Sequence, residues 1–233
     1  MADIPYRTAL IVGAGTGISA SLARALAKAG LQVGLAARNT AKLAPLATET
    51  GALTFNVDAA DPAGVAGLFA AVDAALGEPD VVIYNASARA HGPIAEIDPE
   101  AVLRATSITA FGAFLVTQQA ARRMLPRGRG AILLTGATAG VKGFPLSSAF
   151  AMGKFGLRGL AQSAARELGP KGVHVAHFVI DGAVRSDRRP EAADRPDSTL
   201  SPDGIAQTYL DVLRQPRDAW SFEVELRPWV EKF

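Results

Sequence analysis

The sequence predicts a doubly wound α/β fold forming one domain over residues 1–233, with a parallel sheet of about seven strands flanked by helices. Three observations carry this. Short apolar runs without polar alternation recur along the chain, as strands buried on both faces require. Longer segments with apolar residues at three- and four-residue spacing separate them, as right-handed crossover helices require. The first apolar run also passes directly into a glycine-rich turn and then into a segment of helical period.

The strand candidates are residues 9–12, 32–36, 53–57, 81–84, 131–135, 173–179 and 221–226. In the last, Phe222, Val224 and Leu226 alternate with Glu223 and Glu225, which predicts an edge strand. The helix candidates are 19–29, 40–48, 62–76, 99–125, 147–168 and 202–213. Residues 185–201, with Pro190, Pro196 and closely alternating charges, break the rhythm and predict an exposed loop on the substrate side.

Composition narrows the function classes. Hydrophobic residues make up 49% of the chain and charged residues 20%, the balance of a globular protein with a sizeable core. The net charge is only +2, from 24 basic and 22 acidic side chains, and the densest basic cluster (Arg185, Arg188, Arg189, Arg195) is interleaved with Asp187, Glu191, Asp194 and Asp197. No nucleic-acid partner is expected. The absence of cysteine excludes disulfides, thiolate metal sites and a cysteine nucleophile, and fits the cytoplasm. No run approaches the roughly 18 to 20 apolar residues of a membrane span, so no membrane partner is expected. His174 and His177 are three apart on a strand, which sends them to opposite faces, and no metal site is expected.

The turn after the first strand reads Gly13-Ala14-Gly15-Thr16-Gly17-Ile18-Ser19. Glycine allows the tight turn and close approach of a pyrophosphate, and the following helix N-terminus offers free N–H groups and positive dipole charge. Gly13, Gly15, Thr16, Gly17 and Ile18 are therefore candidate dinucleotide-binding residues. Roughly twenty residues after such a loop, an acid would hold the ribose 2′-hydroxyl of NAD, whereas an arginine would pair with the 2′-phosphate of NADP. The second strand ends in Ala36-Ala37-Arg38, which favours NADP(H) over NAD(H); the alternative is that Arg38 is a plain surface residue. Asp58, just after the third strand, is placed either to accept from an adenine amino group or to close a local turn.

These motifs resemble, in order along nearly the whole chain, those of the classical short-chain dehydrogenases/reductases. Gly13-x-x-x-Gly17-x-Ser19 resembles the family's glycine loop, with serine in place of its last glycine. Asp58-Ala59-Ala60-Asp61 resembles the adenine-side motif, and Tyr84-Asn85-Ala86-Ser87 the Asn-Asn-Ala-Gly motif. Asp181-Gly182-Ala183-Val184-Arg185-Ser186 lies where the family has Pro-Gly and then a threonine at the nicotinamide end; Ser186 keeps the hydroxyl, while Asp181 puts a carboxylate near that end. The resemblance thus implies that Asp58, Ala59, Asn85, Ala86, Gly182, Val184 and Ser186 bind cofactor, and that the protein is an oxidoreductase for a small-molecule substrate.

The family's Asn, Ser, Tyr and Lys tetrad is only partly matched. Tyr-x-x-x-Lys is replaced by Phe150-x-x-x-Lys154, and the serine position, thirteen residues before Phe150, is Ala137. The asparagine position aligns with Thr109, with Ser107 as rival. Lys154 remains as the candidate catalytic residue, with cofactor ribose binding as its other role. None of Tyr6, Tyr84 and Tyr209 lies on the helix that carries it. Candidate helpers are Ser87, Thr138, Ser148 and the loop residue His91. A second class stays open, a cofactor-binding sensor or scaffold without turnover. The resemblance also implies a homodimer or homotetramer, in which Trp220 and Trp229 are either interface anchors or core residues.

Overall fold

The computed structural model describes residues 3–231. Seven parallel strands form one sheet in the order β3-β2-β1-β4-β5-β6-β7: β1 Thr8–Val12, β2 Gln32–Ala37, β3 Leu53–Asn56, β4 Val81–Tyr84, β5 Gly130–Thr135, β6 Val173–Ile180 and β7 Glu223–Leu226. β1 pairs with both β2 and β4, so the chain reverses its direction of travel across the sheet between β1 and β4. At such a switch point the two carboxyl ends diverge and open a crevice.

The apolar runs explain the layering. Successive β1 side chains alternate between two cores: Ala9 and Ile11 belong to one, Leu10 and Val12 to the other, and all four are buried. α1 (Ile18–Lys28), α2 (Ala44–Thr50) and α7 (Pro202–Leu213) cover the first face, and α3 (Pro62–Leu76), α5 (Gly112–Arg127) and α6 (Ser148–Leu168) the second. Each fully buried Leu or Ile contributes about 1.5–3 kcal/mol relative to exposure, so these two layers carry most of the fold's stability. Local chemistry sets the helix ends. Asp61 caps α3 by accepting from Ala63 and Gly64, Asp98 caps α4 (Pro99–Thr106) in the same way, and left-handed Gly128 stops α5.

Two predicted helices are divided. Residues 40–48 form a 3₁₀ turn, Thr40–Leu43, and then α2, because Pro45 suits only a first helical turn. Residues 99–125 are α4 and α5 joined by a π-turn, Ser107–Phe111. Tertiary contacts hold that turn open: the Tyr84 hydroxyl donates to the Ile108 carbonyl, and Thr109 Oγ1 accepts from Ala88 N at 3.1 Å. The predicted last strand loses Ser221 and Phe222; the Ser221 carbonyl accepts from His174 Nε2 and its N–H donates to Gln215.

The continuous run Pro99–Arg127 is long and apolar enough by composition to cross a membrane, which corrects the expectation that no segment qualifies. Its Ala113, Val116, Ala120 and Met124 are instead fully buried in the second core.

The π-turn also dictates Gly112. A Cβ there would overlap the Tyr84 hydroxyl and come within 2.6 Å of the Ala59 carbonyl. Gly112→Ala should lower stability by about 1–3 kcal/mol through overpacking, read as an earlier midpoint in urea unfolding. An unchanged midpoint would show that the contact is slack.

Candidate active site

The site begins at the end of β1. Gly13 takes φ +86°, and a Cβ on it would overlap the Ala86 backbone nitrogen, so only glycine fits this crossing. Gly13 N and Ala14 N donate to the Ala36 carbonyl at 2.9 and 3.0 Å, which ties the turn to β2. Asn85 N donates to the Val12 carbonyl at 2.8 Å, and Asn85 Nδ2 donates to Ser19 Oγ at 2.7 Å. Ser19 Oγ donates in turn to the Gly13 carbonyl at 3.1 Å. The ends of β1 and β4 and the start of α1 are thereby locked together. At Gly15 and Gly17, by contrast, a Cβ would meet nothing within 4 Å. Gly17 precedes α1, whose first turn holds no acid and no side-chain cap, so no side chain of the helix occupies the N–H groups of Ile18 and Ser19.

One half of the cleft, about 420 Å³, is lined by Gly13, Gly15, Thr16, Arg38, Asp58, Ala59, Asn85 and Ala86. Lys42 joins Arg38 there, and both are exposed without a side-chain hydrogen bond or ion pair among the described residues. Asp58 closes a local turn, its Oδ1 accepting from Ala60 N at 3.0 Å, and still lines the cleft. The other half, about 410 Å³, is lined by Gly17, Ile18, Lys154, Gly182, Val184 and Ser186. Gly15, Asn85 and Ser87 line both halves. All the candidate cofactor residues thus face one continuous cleft at the carboxyl end of the sheet. The predicted substrate-side loop contributes Arg185, Ser186 and Arg189, and Arg185 Nη2 pairs with Glu191 at 2.7 Å.

In the second half, Lys154 is buried and its Nζ donates to the Thr135 carbonyl at 2.7 Å. Phe150, one helical turn earlier, lines the same space, with its ring 5.8 Å from Lys154 Nζ and 4.2 Å from Arg89 Cζ. Ala137 lies on the facing wall. Thr109 is fully buried against Gly153 of α6, whereas Ser107 is only half-buried, so Thr109 is the residue of that pair that faces the lysine helix.

Other candidates lie elsewhere. Of the proposed helpers only Ser87 and Lys154 line the cleft; Thr138, Ser148 and exposed His91 do not. Tyr84 and Tyr209 are buried in the core, where burial raises both pKa values, and Tyr6 lies at the opposite end of the sheet beside Gly130. Asp181 does not add a carboxylate to the nicotinamide end: it is buried and pairs with Arg227 at 3.3 Å, outside the cleft lining. His174 and His177 point to opposite faces; burial lowers both pKa values, and His177 Nδ1 bonds Glu223 at 2.9 Å. Trp220 stacks on His174 with centroids 4.6 Å apart, while Trp229 is 80% exposed. Among the described residues no cluster of His, Asp or Glu is arranged to hold a metal.

The short chain dehydrogenase family profile matches residues 7–196. The chain belongs to the short-chain dehydrogenase/reductase family. It is 37% identical over 182 residues to a short-chain dehydrogenase/reductase of Armillaria gallica, covering 74% of this chain and 69% of that one. Among solved structures, a short-chain dehydrogenase from Rhodopseudomonas palustris superposes with a TM-score of 0.82 at 36% identity, over 96% of this chain and 99% of that one. A metagenomic short-chain oxidoreductase in complex with NADP superposes with a TM-score of 0.84 at 27% identity, over 96% and 98%. Membership makes the chain an oxidoreductase-family protein with a nicotinamide-nucleotide fold.

Sequence reasoning missed Lys42, Arg89 and Arg189 as cleft residues. Lys42 falls on the 3₁₀ turn four residues after Arg38, where its nearness to the end of β2 was the available signal; Arg89 and Arg189 sit on loops, where none was.

Burial first, and the charge of Arg89 second, push the Lys154 pKa down to about 7. In an unfolded chain the amine titrates near about 10.4. Above about pH 7 the folded protein sheds this proton while the unfolded chain keeps it, so stability rises with pH from there toward about 10.4. Urea midpoints recorded from about pH 6 to about pH 9.5 should climb in the wild type and climb less in Lys154→Met. Identical slopes would mean that Lys154 keeps its ordinary pKa.

Proposed function

We propose that this chain is an NADP(H)-dependent oxidoreductase acting on a small carbonyl, alcohol, imine or activated alkene through an altered active site. The observation that carries the cofactor reading is the unpaired Arg38 just after β2 and Lys42 on the turn that follows, with no acid in the position that would hold a 2′-hydroxyl. The open faces of Gly15 and Gly17 before α1 suit a pyrophosphate, and the cleft is long enough to run from there to Lys154.

When bound, the nicotinamide supplies hydride transfer. Gly13, Gly15, Thr16, Gly17 and Ile18 would hold the phosphates, Arg38 and Lys42 the 2′-phosphate, and Asp58 and Ala59 the adenine side. Asn85, Ala86, Gly182, Val184 and Ser186 would hold the nicotinamide half. Lys154 would bind the ribose and, when protonated, bring positive charge to that half of the cleft. With its lowered pKa it is also the residue best able to give up a proton near neutrality. Phe150 and Ala137 take no part in proton transfer, since neither carries an ionisable group.

The same two residues favour the second reading, a cofactor-binding sensor or scaffold without turnover, because loss of a positioned acid costs about 10²- to 10⁴-fold. The exposed apolar side chains Leu103, Phe111, Phe114, Met152 and Phe155 on α4 to α6 support a homo-oligomer through that face rather than through Trp220. The lack of cysteine supports a cytoplasmic location.

Three experiments test this. In equilibrium titration NADPH should bind more tightly than NADH, and Arg38→Ala should weaken NADPH by about tenfold or more while sparing NADH. Equal losses for both nucleotides would remove the 2′-phosphate role. With NADPH bound, carbonyls, imines and enones are then screened for its oxidation; binding without turnover in any class decides for the sensor. Phe150→Tyr should raise ketone reduction by about 10²-fold if only the acid is missing. No gain would show that the pocket is rebuilt around Phe150.

A further inference from the structure

The half of the cleft around Lys154 has an uneven charge. Arg89, Lys154, Arg185 and Arg189 line it, and no acidic residue does. Two of these cations are already engaged: Lys154 Nζ by the Thr135 carbonyl and Arg185 by Glu191. Neither Arg89 nor Arg189 has a side-chain hydrogen bond or ion pair among the described residues, but of the two only Arg89 is held in place by a ring. Its Cζ sits over the Phe150 ring at 4.2 Å. A ring attracts a guanidinium by its face and accepts none of its in-plane N–H bonds, so the fork of donors that matches a carboxylate stays unused.

Position decides what that fork meets. Arg89 stands on the loop after β4 and packs on the first turn of α6, whereas the free N–H groups of the Gly15–Gly17 turn lie at the start of α1. The phosphates of a dinucleotide have their donors in that turn and do not need Arg89. In the motif that Phe150-x-x-x-Lys154 resembles, the position of Phe150 carries a proton-donating tyrosine. A guanidinium stays charged at all working pH values, so Arg89 is no substitute acid; a permanently charged fork selects an anion.

We propose that the site takes a carboxylate-bearing carbonyl compound, a keto acid, with Arg89 seated on Phe150 as the residue that binds its carboxylate. This rests on the oxidoreductase reading of the same cleft, and Arg89 acts as a specificity determinant in it. Phe150 is then a platform for Arg89 as well as a lost acid.

The probes are benzoylformate and its uncharged methyl ester, titrated calorimetrically against the protein alone and against protein saturated with NADPH. The wild type should bind the acid about tenfold or more tightly than the ester, as a charged hydrogen-bonded pair gives. Arg89→Ala should bring the two within about twofold, and Arg89→Lys should keep part of the preference because charge survives without the fork. The NADPH affinity of Arg89→Ala should stay near the wild-type value, which separates loss of the anion site from misfolding. Equal binding of acid and ester by the wild type, or a preference that survives Arg89→Ala, overturns the proposal. Failure of NADPH itself to bind sinks the cofactor reading, while the acid-to-ester ratio of the protein alone still tests the carboxylate site.

Discussion

The structure depends on the crossing of Gly13 and Ala86 at the point where the sheet changes direction. Two backbones approach there more closely than any side chain permits, and positive φ at Gly13 turns the chain away from β1. The Asn85–Ser19–Gly13 hydrogen bonds close the junction, each worth about 1 kcal/mol net. Because β1, β4 and α1 all meet there, this junction sets the floor of the cleft, the direction of the α1 N-terminus and the start of the loop that carries Arg89.

Around that floor the electrostatics divide along the cleft. At one end, exposed Arg38 and Lys42 offer charge to solvent, where screening makes it a matter of selectivity more than of stability. At the other, Lys154 is buried beside a carbonyl and below Arg89, so its charge is costly and its proton loosely held. Phe150 changes the character of this end. Its ring carries no titratable group, and its face gives the Arg89 guanidinium a surface to rest on.

Much of the fold was legible because its signals are local. All seven strands and the ends of α3 and α7 follow from apolar runs, caps and breakers. The fourteen candidate cofactor residues face one cleft because strand ends and their turns lie on one edge of a parallel sheet. The π-turn at Ser107–Phe111 was not legible, since Tyr84 and Ala88, remote in the chain, hold it open. Pro45 was a readable breaker whose effect on α2 the helical period masked. Asp181 turned away because Arg227, far along the chain, offered it a buried partner.

The sequence by itself determined the sheet, the glycine turn after β1 and the presence of Phe150 and Ala137 in the segments that resemble the family's tyrosine and serine motifs. These are properties of periodicity, of backbone conformations only glycine allows, and of ordered motifs. Only the tertiary structure decided which charges share a space: Lys42 with Arg38, Arg89 with Phe150 and Lys154, Thr109 rather than Ser107 against α6. Side chains from separate loops meet through packing in three dimensions, and no spacing along the chain encodes that meeting.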